Sequence, residues 1–337
     1  MRFWVKNEKL ISIVIPIYNG AKYISNIYTN IMNQTYRPIE LIFVNDGSKD
    51  DSENVLKDIV KMHNCKSEIK IIILSGPNGG IAVARNRGMA ASTGEYVMFV
   101  DQDDWLEKDC VEKLMQVAGL TDADMVIGGF RKVNQKGEIL GTWSLNPELS
   151  WSKYRITAPW GRLFRKSVIE AEQLEFFNTK ISEDLYFNIL FMSYATKIEV
   201  ISYVGYNWLQ SQNSESHHNW IKMTDERNPI EMLTELHKRM GNHILLKDDE
   251  LAFFFSKYVV WYLLYCSKGA DKLQVRQRTQ EVFAWLEKNY PQFYKLIWRG
   301  GIFPQGELFK VRLCVVCVLF MYKADILLFF LDQYRKL

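Results

Sequence analysis

"ISIVIPIYNGAKYISNIYTNIMNQTYRPIELIFVNDGS", residues 11–48, is the stretch whose reading decides the fold. Ile11 to Tyr18 is an apolar run of strand length, Ala21 to Gln34 has the texture of an amphipathic helix, and Ile39 to Asp46 is again apolar and β-branched. Outward from this unit the same two textures alternate. Lys70 to Leu74 and Glu95 to Asp101 read as buried strands, and Ser52 to Asn64 and Ile81 to Ala91 as helices. A β-α-β-α succession predicts a mostly parallel sheet with helices on both faces. Ligands in such sheets bind beyond the carboxyl ends of the strands. That is where "YNG", "NDGSKDDS" and "DQDDW" fall. Gly47 and Ser48 suit the turn into the second helix, with Ser52 or Asp51 as its cap.

The bulk numbers narrow the field. With 337 residues, 48% hydrophobic and 24% charged, the chain has a globular composition and room for one large core or two smaller ones. A net charge of +3 is too mild for a nucleic-acid partner, which demands a concentrated basic face. The five cysteines are scattered and odd in number, which argues for a reducing compartment. Cys314 and Cys317 form a CxxC inside "LCVVCVLF" and read as buried or lipid-facing thiols rather than metal ligands. "MRFWVKNEKL" has neither an apolar core nor a cleavage site of a secretory signal, so cytoplasmic residence is expected.

Further along, "ADMVIGGFRKV" and "TKIEVISYVGYNWL" read as strands, "KSVIEAEQ" and "SEDLYFNILFMSYA" as helices. After Met223 the texture becomes long helical segments, including Leu251 to Cys266, apolar almost all round. The expected division is a domain over 1–220, split near 105/106, followed by a helical region over 221–337.

Carboxylates at i and i+2 just after a strand can both reach one cation, and hard oxygen ligands suit Mg²⁺ or Mn²⁺ in phosphate chemistry. Asp101 and Asp103 have that spacing. The competing reading is that Asp103 or Asp104 caps a helix beginning near Leu106. No GxxxxGK[ST] and no GxGxxG after the first strand occurs, so neither a P-loop ATPase nor a dinucleotide enzyme is supported. "GPNGGIAVARNRG" offers the Gly79 and Gly80 amides at a helix start, and Arg85 to approach an anion, while Arg87 reads as solvated. Glu183 and Asp184 open an apolar helix, where the macrodipole favours acids. If the fold returns them to the metal site, one becomes a candidate general base.

The succession "ISIVIPIYNG", "IELIFVNDGSKDDS", "NGGIAVARNRGMAASTGEYVMFVDQDDW", "PWGRLFRKS" and "ISEDLYFN" resembles the family 2 glycosyltransferases, especially those of bacterial capsular and exopolysaccharide synthesis. The resemblance covers roughly Ile11 to Ser216 and implies the GT-A fold, a Rossmann-like α/β architecture. It also implies inverting, single-displacement transfer from a nucleotide diphosphate sugar, UDP-linked by expectation, to a saccharide or lipid-linked acceptor at the inner face of the membrane. On that resemblance Pro16 and Tyr18 border the base, Asp46 holds the uracil or ribose, and Gly80 and Arg85 flank the nucleotide. Asp101 and Asp103 form the DxD pair, with Asp103 the closer to Mn²⁺ or Mg²⁺, and Asp104 lies beside the donor sugar. Asp184 resembles the catalytic base, and Trp160 and Glu183 fall on the acceptor side.

Two departures stand out. Asn45 replaces the first acid of "DDGS", and the later "YxYRxxxxSxS" reads "YNWLQSQNSES" (Tyr206 to Ser216), with Leu209 in place of Arg. His217 or His218 is a candidate substitute ligand for metal or phosphate. From Tyr290 onward seven Lys and Arg stand against three Asp and Glu among aromatic and Leu-rich stretches. That pattern suits an interfacial helix on an anionic leaflet, or a helical bundle packing on the catalytic domain or on a second subunit. Two other classes compete: a haloacid-dehalogenase-like phosphatase, which Trp105 disfavours, and an inactive saccharide- or nucleotide-binding module.

Overall fold

The computed structural model describes residues 9–63, 68–210, 223–241, 248–298 and 303–336. The chain divides into two compact units. The first comprises residues 1–147, 157–178 and 187–211, and the second 148–156, 179–186 and 212–337.

In the first unit the alternation is realised as β1 (Ile11–Ile17), α1 (Ala21–Met32), β2 (Ile39–Asn45), α2 (Ser52–Met62), β3 (Ile69–Ser75), α3 (Ile81–Ala91) and β4 (Tyr96–Phe99). Every residue of β1 and β2 is buried, the burial their continuous apolar runs imply. There follow β5 (Trp105–Leu106), α4 (Cys110–Thr121), β6 (Met125–Val133), β7 (Ile139–Trp143), β8 (Arg162–Arg165), α5 (Lys166–Ala171), α6 (Glu183–Tyr194) and β9 (Ile198–Leu209). The chain passes from the second unit back to the first within α6.

The nine strands among the described residues form one sheet in the order β3-β2-β1-β4-β8-β6-β9-β5, with β7 beside β6. The parallel expectation holds for β1 to β4 and for β6 with β9. It fails at β8, which lies antiparallel between β4 and β6, and at β5 and β7 on the flanks. Since β8 runs against both neighbours, β6 and β9 point the same way as β4. The carboxyl ends of β1, β2, β4, β6 and β9 therefore share one edge. Short β5, β7 and β8 have no long apolar run, which is why periodicity did not announce them.

At the opposite edge a buried carboxylate ties the sheet together. Glu40 accepts from Ser12 Oγ at 2.7 Å, Thr93 N at 2.7 Å, Thr93 Oγ1 at 2.8 Å and Lys70 Nζ at 3.1 Å. Burial alone would raise its pKa, but these donors outweigh it and hold the carboxyl below the usual range.

In the second unit the described helices include α7 (Ile230–Met240), α8 (Asp249–Cys266), α9 (Lys272–Asn289), α10 (Phe293–Trp298), α11 (Phe309–Lys323) and α12 (Leu327–Tyr334). Asp248 and Asp271 cap α8 and α9 through their side chains, and α8 is buried nearly all round. Phe309, Leu313, Phe320 and Phe329 of α11 and α12 are exposed, as are Cys314 and Cys317, which are thus not core thiols. Among the described residues no helix is long and apolar enough to cross a membrane.

Glu40→Gln should lower stability at pH 7 by about 2–3 kcal/mol, because each carboxylate oxygen accepts from two donors and an amide NH₂ in place of one oxygen leaves that pair without an acceptor. A depressed carboxyl contributes stability above its unfolded pKa and loses it as pH falls through the folded value. Urea denaturation of the two proteins should therefore converge as pH drops below 4.5, the ordinary glutamate value.

Candidate active site

Three acids follow β4, and the structure gives each a different environment. Asp101 Oδ1 accepts from Arg85 Nη2 at 3.0 Å. Arg85, from α3, is 1% exposed and lies over the Phe176 ring at 5.3 Å, so the buried guanidinium finds its anion in the protein itself. Asp104 is fully enclosed: Oδ2 accepts from the Tyr206 hydroxyl at 2.5 Å and Oδ1 from Leu209 N at 2.8 Å. Burial first, then repulsion from Asp101 and Asp103, push its carboxyl well above the usual range. Asp103 receives no donor from another residue among those described. Burial, then Asp101, raise its pKa to about 6 against the weaker pull of its own backbone N–H and Lys22.

The helix-cap reading of Asp103 and Asp104 is overturned. β5 follows them at Trp105–Leu106, and the next helix starts at Cys110 with Asp109 at its cap position. Asp104 is drawn inward instead because β9 presents two donors to it. Tyr206 is central: its hydroxyl also accepts from Asp101 N at 3.2 Å, joining β9 to both ends of the acidic loop.

The second loop corrects two further expectations. The Gly79 and Gly80 amides do not stand open to phosphate; they donate to Asp46 Oδ1 at 2.9 Å and Oδ2 at 2.8 Å. A carboxylate already occupies that helix N-terminus. Arg87 is not simply solvated, since Nη1 reaches Asp46 Oδ1 at 3.3 Å and Pro77 O at 3.0 Å. The cap expected from Ser52 or Asp51 is supplied by Asp50, which accepts from Ser52 N at 3.1 Å and from Ala21 N at 3.0 Å. It thereby holds the starts of α1 and α2 together. Asn45 uses both ends of its amide: Nδ2 donates to Glu53 Oε2 at 2.7 Å and Oδ1 accepts from Ser48 N at 3.0 Å. An acid in that place would face Glu53, which explains the departure from "DDGS".

Tyr18 is 43% exposed at the end of β1, and Pro16 is buried within it. Gln102 joins Tyr18 to the acidic loop, accepting from Tyr18 N at 3.0 Å and donating to Tyr18 O at 3.2 Å. A Cβ on Gly20 would come within 2.2 Å of Gln102 Oε1, so a side chain there would displace the amide that bridges the two loops. Trp160 is 6% exposed and stacks on Tyr206 at 4.4 Å with an interplanar angle of 5°. Glu183 and Asp184 occupy the first turn of α6 and belong to the second unit. Leu209 is buried and offers its backbone to Asp104, while His217 and His218 lie outside the described residues.

The donor set suits a hard divalent cation. Among the described residues Asp103 has its own backbone N–H and the weak pull of Lys22 but no ion-pair partner, and the Oδ2 of Asp101 has no donor. Among those residues no three or more His, Cys, Asp or Glu side chains close into a cage. Such a pair leaves most of the coordination shell to water and phosphate oxygens, the usual habit of Mg²⁺ and Mn²⁺ beside a diphosphate.

The family model for glycosyl transferase family 2 matches residues 12–185 of the 337. The chain belongs to this family. Glycosyltransferase GlyA of Streptococcus pneumoniae is 31% identical over 196 residues, 53% of this chain and 27% of that protein. The chain thus spans about a quarter of that relative's length. The poly(ribitol-phosphate) β-N-acetylglucosaminyltransferase TarP of Staphylococcus aureus is 24% identical over 322 residues, covering 90% of this chain and 94% of TarP. Among solved structures, S. aureus TarS 1–349 in complex with UDP superimposes with a TM-score of 0.68 at 17% identity, covering 96% of this chain and 89% of that one. The GT-A fold implied by the motifs is therefore the fold observed, with a helical C-terminal region. Membership in family 2 also removes the phosphatase alternative.

Sequence reasoning missed Tyr206, Gln102 and Lys22. Tyr206 is signalled in the sequence as the first residue of "YNWL"; Gln102 and Lys22 carry no motif signal.

The raised pKa of Asp103 means that the folded protein keeps this proton up to about pH 6, whereas the unfolded chain releases it near 3.8. Its contribution to stability is present below 3.8 and lost as pH rises through 6. Asp103→Asn should accordingly raise the metal-free melting temperature at pH 7.5 by a few degrees, with the gain shrinking toward pH 4. Thermal scans at the two pH values check this. Asn45→Asp should lower the melting temperature by placing a second carboxylate against Glu53, and adding Glu53→Gln should restore at least half of the loss.

Proposed function

We propose that the protein is a metal-dependent, inverting glycosyltransferase that moves a sugar from a nucleotide diphosphate donor, UDP-linked, to a saccharide or lipid-linked acceptor in cell-surface polysaccharide synthesis. The observation that carries this is the acidic loop after β4, where Asp103 stands without an ion-pair partner among the described residues beside an Asp101 braced by a buried arginine. The motif order, the family match and the similarity to TarP, a poly(ribitol-phosphate) β-N-acetylglucosaminyltransferase, support it.

In this reading residues 1–220 form the catalytic domain and 221–337 a helical region. Tyr18 borders the base, with Pro16 beneath it in β1. Asp46, Gly80 and Arg85 shape the nucleotide side, largely by holding one another. Asp103, with Asp101, would hold Mn²⁺ or Mg²⁺, which when bound neutralises the departing diphosphate. Asp104 lies on the donor-sugar side and holds β9 to the loop. Trp160 backs the acceptor side through Tyr206, and Glu183 flanks the base.

Asp184 takes the proton of the acceptor hydroxyl as its oxygen attacks the anomeric carbon. The bond from that carbon to the diphosphate oxygen breaks, its electron pair leaves with UDP, and the configuration inverts. Catalysis then needs no covalent enzyme intermediate. The exposed apolar residues of α11 and α12, with exposed Lys310 and Lys323, fit peripheral contact with an anionic leaflet on the cytoplasmic side.

Purified protein with Mn²⁺ should bind UDP and release sugar from at least one UDP-sugar, with both lost in EDTA or in Asp103→Asn. Asp184→Asn should keep UDP affinity within about threefold while transfer falls at least ~100-fold, the usual scale for a lost general base. Full transfer by Asp184→Asn would overturn the base assignment. Absence of UDP binding by the wild type would leave an inactive saccharide-binding module.

A further inference from the structure

Beyond Tyr206, the same face of β6, β7 and β9 carries a group of rings and one lysine that the reading above does not use. Phe130 pairs across with Trp143 on β7 and Tyr206 on β9; two residues on, Lys132 pairs with Gly141 and Trp208. Trp143 stacks on Phe130 with centroids 4.9 Å apart and planes 7° apart. Trp208 leans against Phe130 at 6.1 Å and Trp160 at 5.9 Å. A Cβ on Gly141 would sit 2.7 Å from two atoms of the Trp143 ring. The missing side chain is what allows that indole to lie down over the strand. The Lys132 ammonium stands 4.7 Å from the Trp208 ring centroid and 5.2 Å from that of Trp143.

Core packing explains Phe130, Trp160 and Tyr206, which are buried. It does not explain two indoles left half-exposed with an ammonium between them. Among the described residues no carboxylate lies within ion-pair distance of Lys132. The two π faces hold the charge in place and leave its remaining N–H donors for a ligand. The position matters as well. Lys132 and Trp208 lie next to the last residues of β6 and β9, on the sheet edge shared with the acidic loop, to which Trp160 and Tyr206 link them.

We propose that Lys132, Trp143 and Trp208 form an acceptor subsite for a sugar ring bearing an anionic substituent, carboxylate or phosphate. The proposal rests on the glycosyltransferase reading for the word acceptor alone. The apolar C–H face of a pyranose fits an exposed indole, and the substituent meets Lys132 in a charge-assisted hydrogen bond. The acceptor would then be an acidic or phosphorylated saccharide.

Tryptophan fluorescence of the full chain, titrated with glucuronate, glucose 6-phosphate and glucose while UDP and Mn²⁺ fill the donor side, tests it. At least one of the charged sugars should bind roughly tenfold more tightly than glucose, as one charge-assisted hydrogen bond allows. Preference for glucuronate assigns a carboxylate, and preference for glucose 6-phosphate a phosphate. Lys132→Met should abolish the preference and Lys132→Arg retain it, both leaving UDP affinity unchanged. Trp208→Phe should weaken all three sugars. Equal affinity for charged and neutral sugars in the wild type, or a preference surviving Lys132→Met, overturns the subsite. Failure of UDP to bind would instead overturn the donor reading, with the sugar titration still informative.

Discussion

The arrangement at the carboxyl edge depends on one phenol. Tyr206, near the end of the last long strand, donates to Asp104 and accepts from the backbone of Asp101, so a residue about a hundred positions downstream sets the shape of the acidic loop. Take the hydroxyl away and the buried Asp104 loses a partner, and Asp101 loses the anchor of its amide. The ring contributes a second constraint, since its flat stack on Trp160 fixes the angle from which the hydroxyl reaches the loop.

Around that anchor the acids are sorted by how their charge is met. Asp101 has the guanidinium of Arg85, Asp46 has two amides and Arg87, and Asp104 has a phenol and an amide. Asp103 has none of these, and its carboxyl is correspondingly reluctant to ionise. Burial and the neighbouring acids raise the carboxyls of Asp103 and Asp104, but Asp104 is met by donors from Tyr206 and Leu209, whereas no other described residue donates to Asp103. A cation is favoured at the acid to which no other described residue donates. Structural bracing and metal affinity are thus one electrostatic distribution, and no residue need serve both ends equally.

The sheet also shows why a loop cluster and an aromatic surface can adjoin. β8 reverses direction between β4 and β6, which restores β6 and β9 to the direction of β4. The two halves of the sheet therefore present their carboxyl ends along a common edge. Acids lie over the parallel half and rings over the mixed half, because loops leave the first at every strand end, whereas long paired β6 and β9 expose a continuous face.

The sequence alone determined the elements and the family. Long apolar runs and helical spacing placed β1 to β4 and α1 to α3 within a residue or two, since a strand buried on both faces has no other composition available. Five motifs in order were enough for the GT-A architecture, and the i, i+2 spacing pointed to Asp101 and Asp103. Tertiary structure alone decided who partners whom. Asp104 reads as a cap in isolation, yet β9 takes it; Gly79 and Gly80 read as a phosphate cradle, yet Asp46 fills it; Asn45 reads as a lost acid, yet Glu53 requires it. Each depends on a partner from another strand, and pairings between distant segments leave no period or spacing in either one.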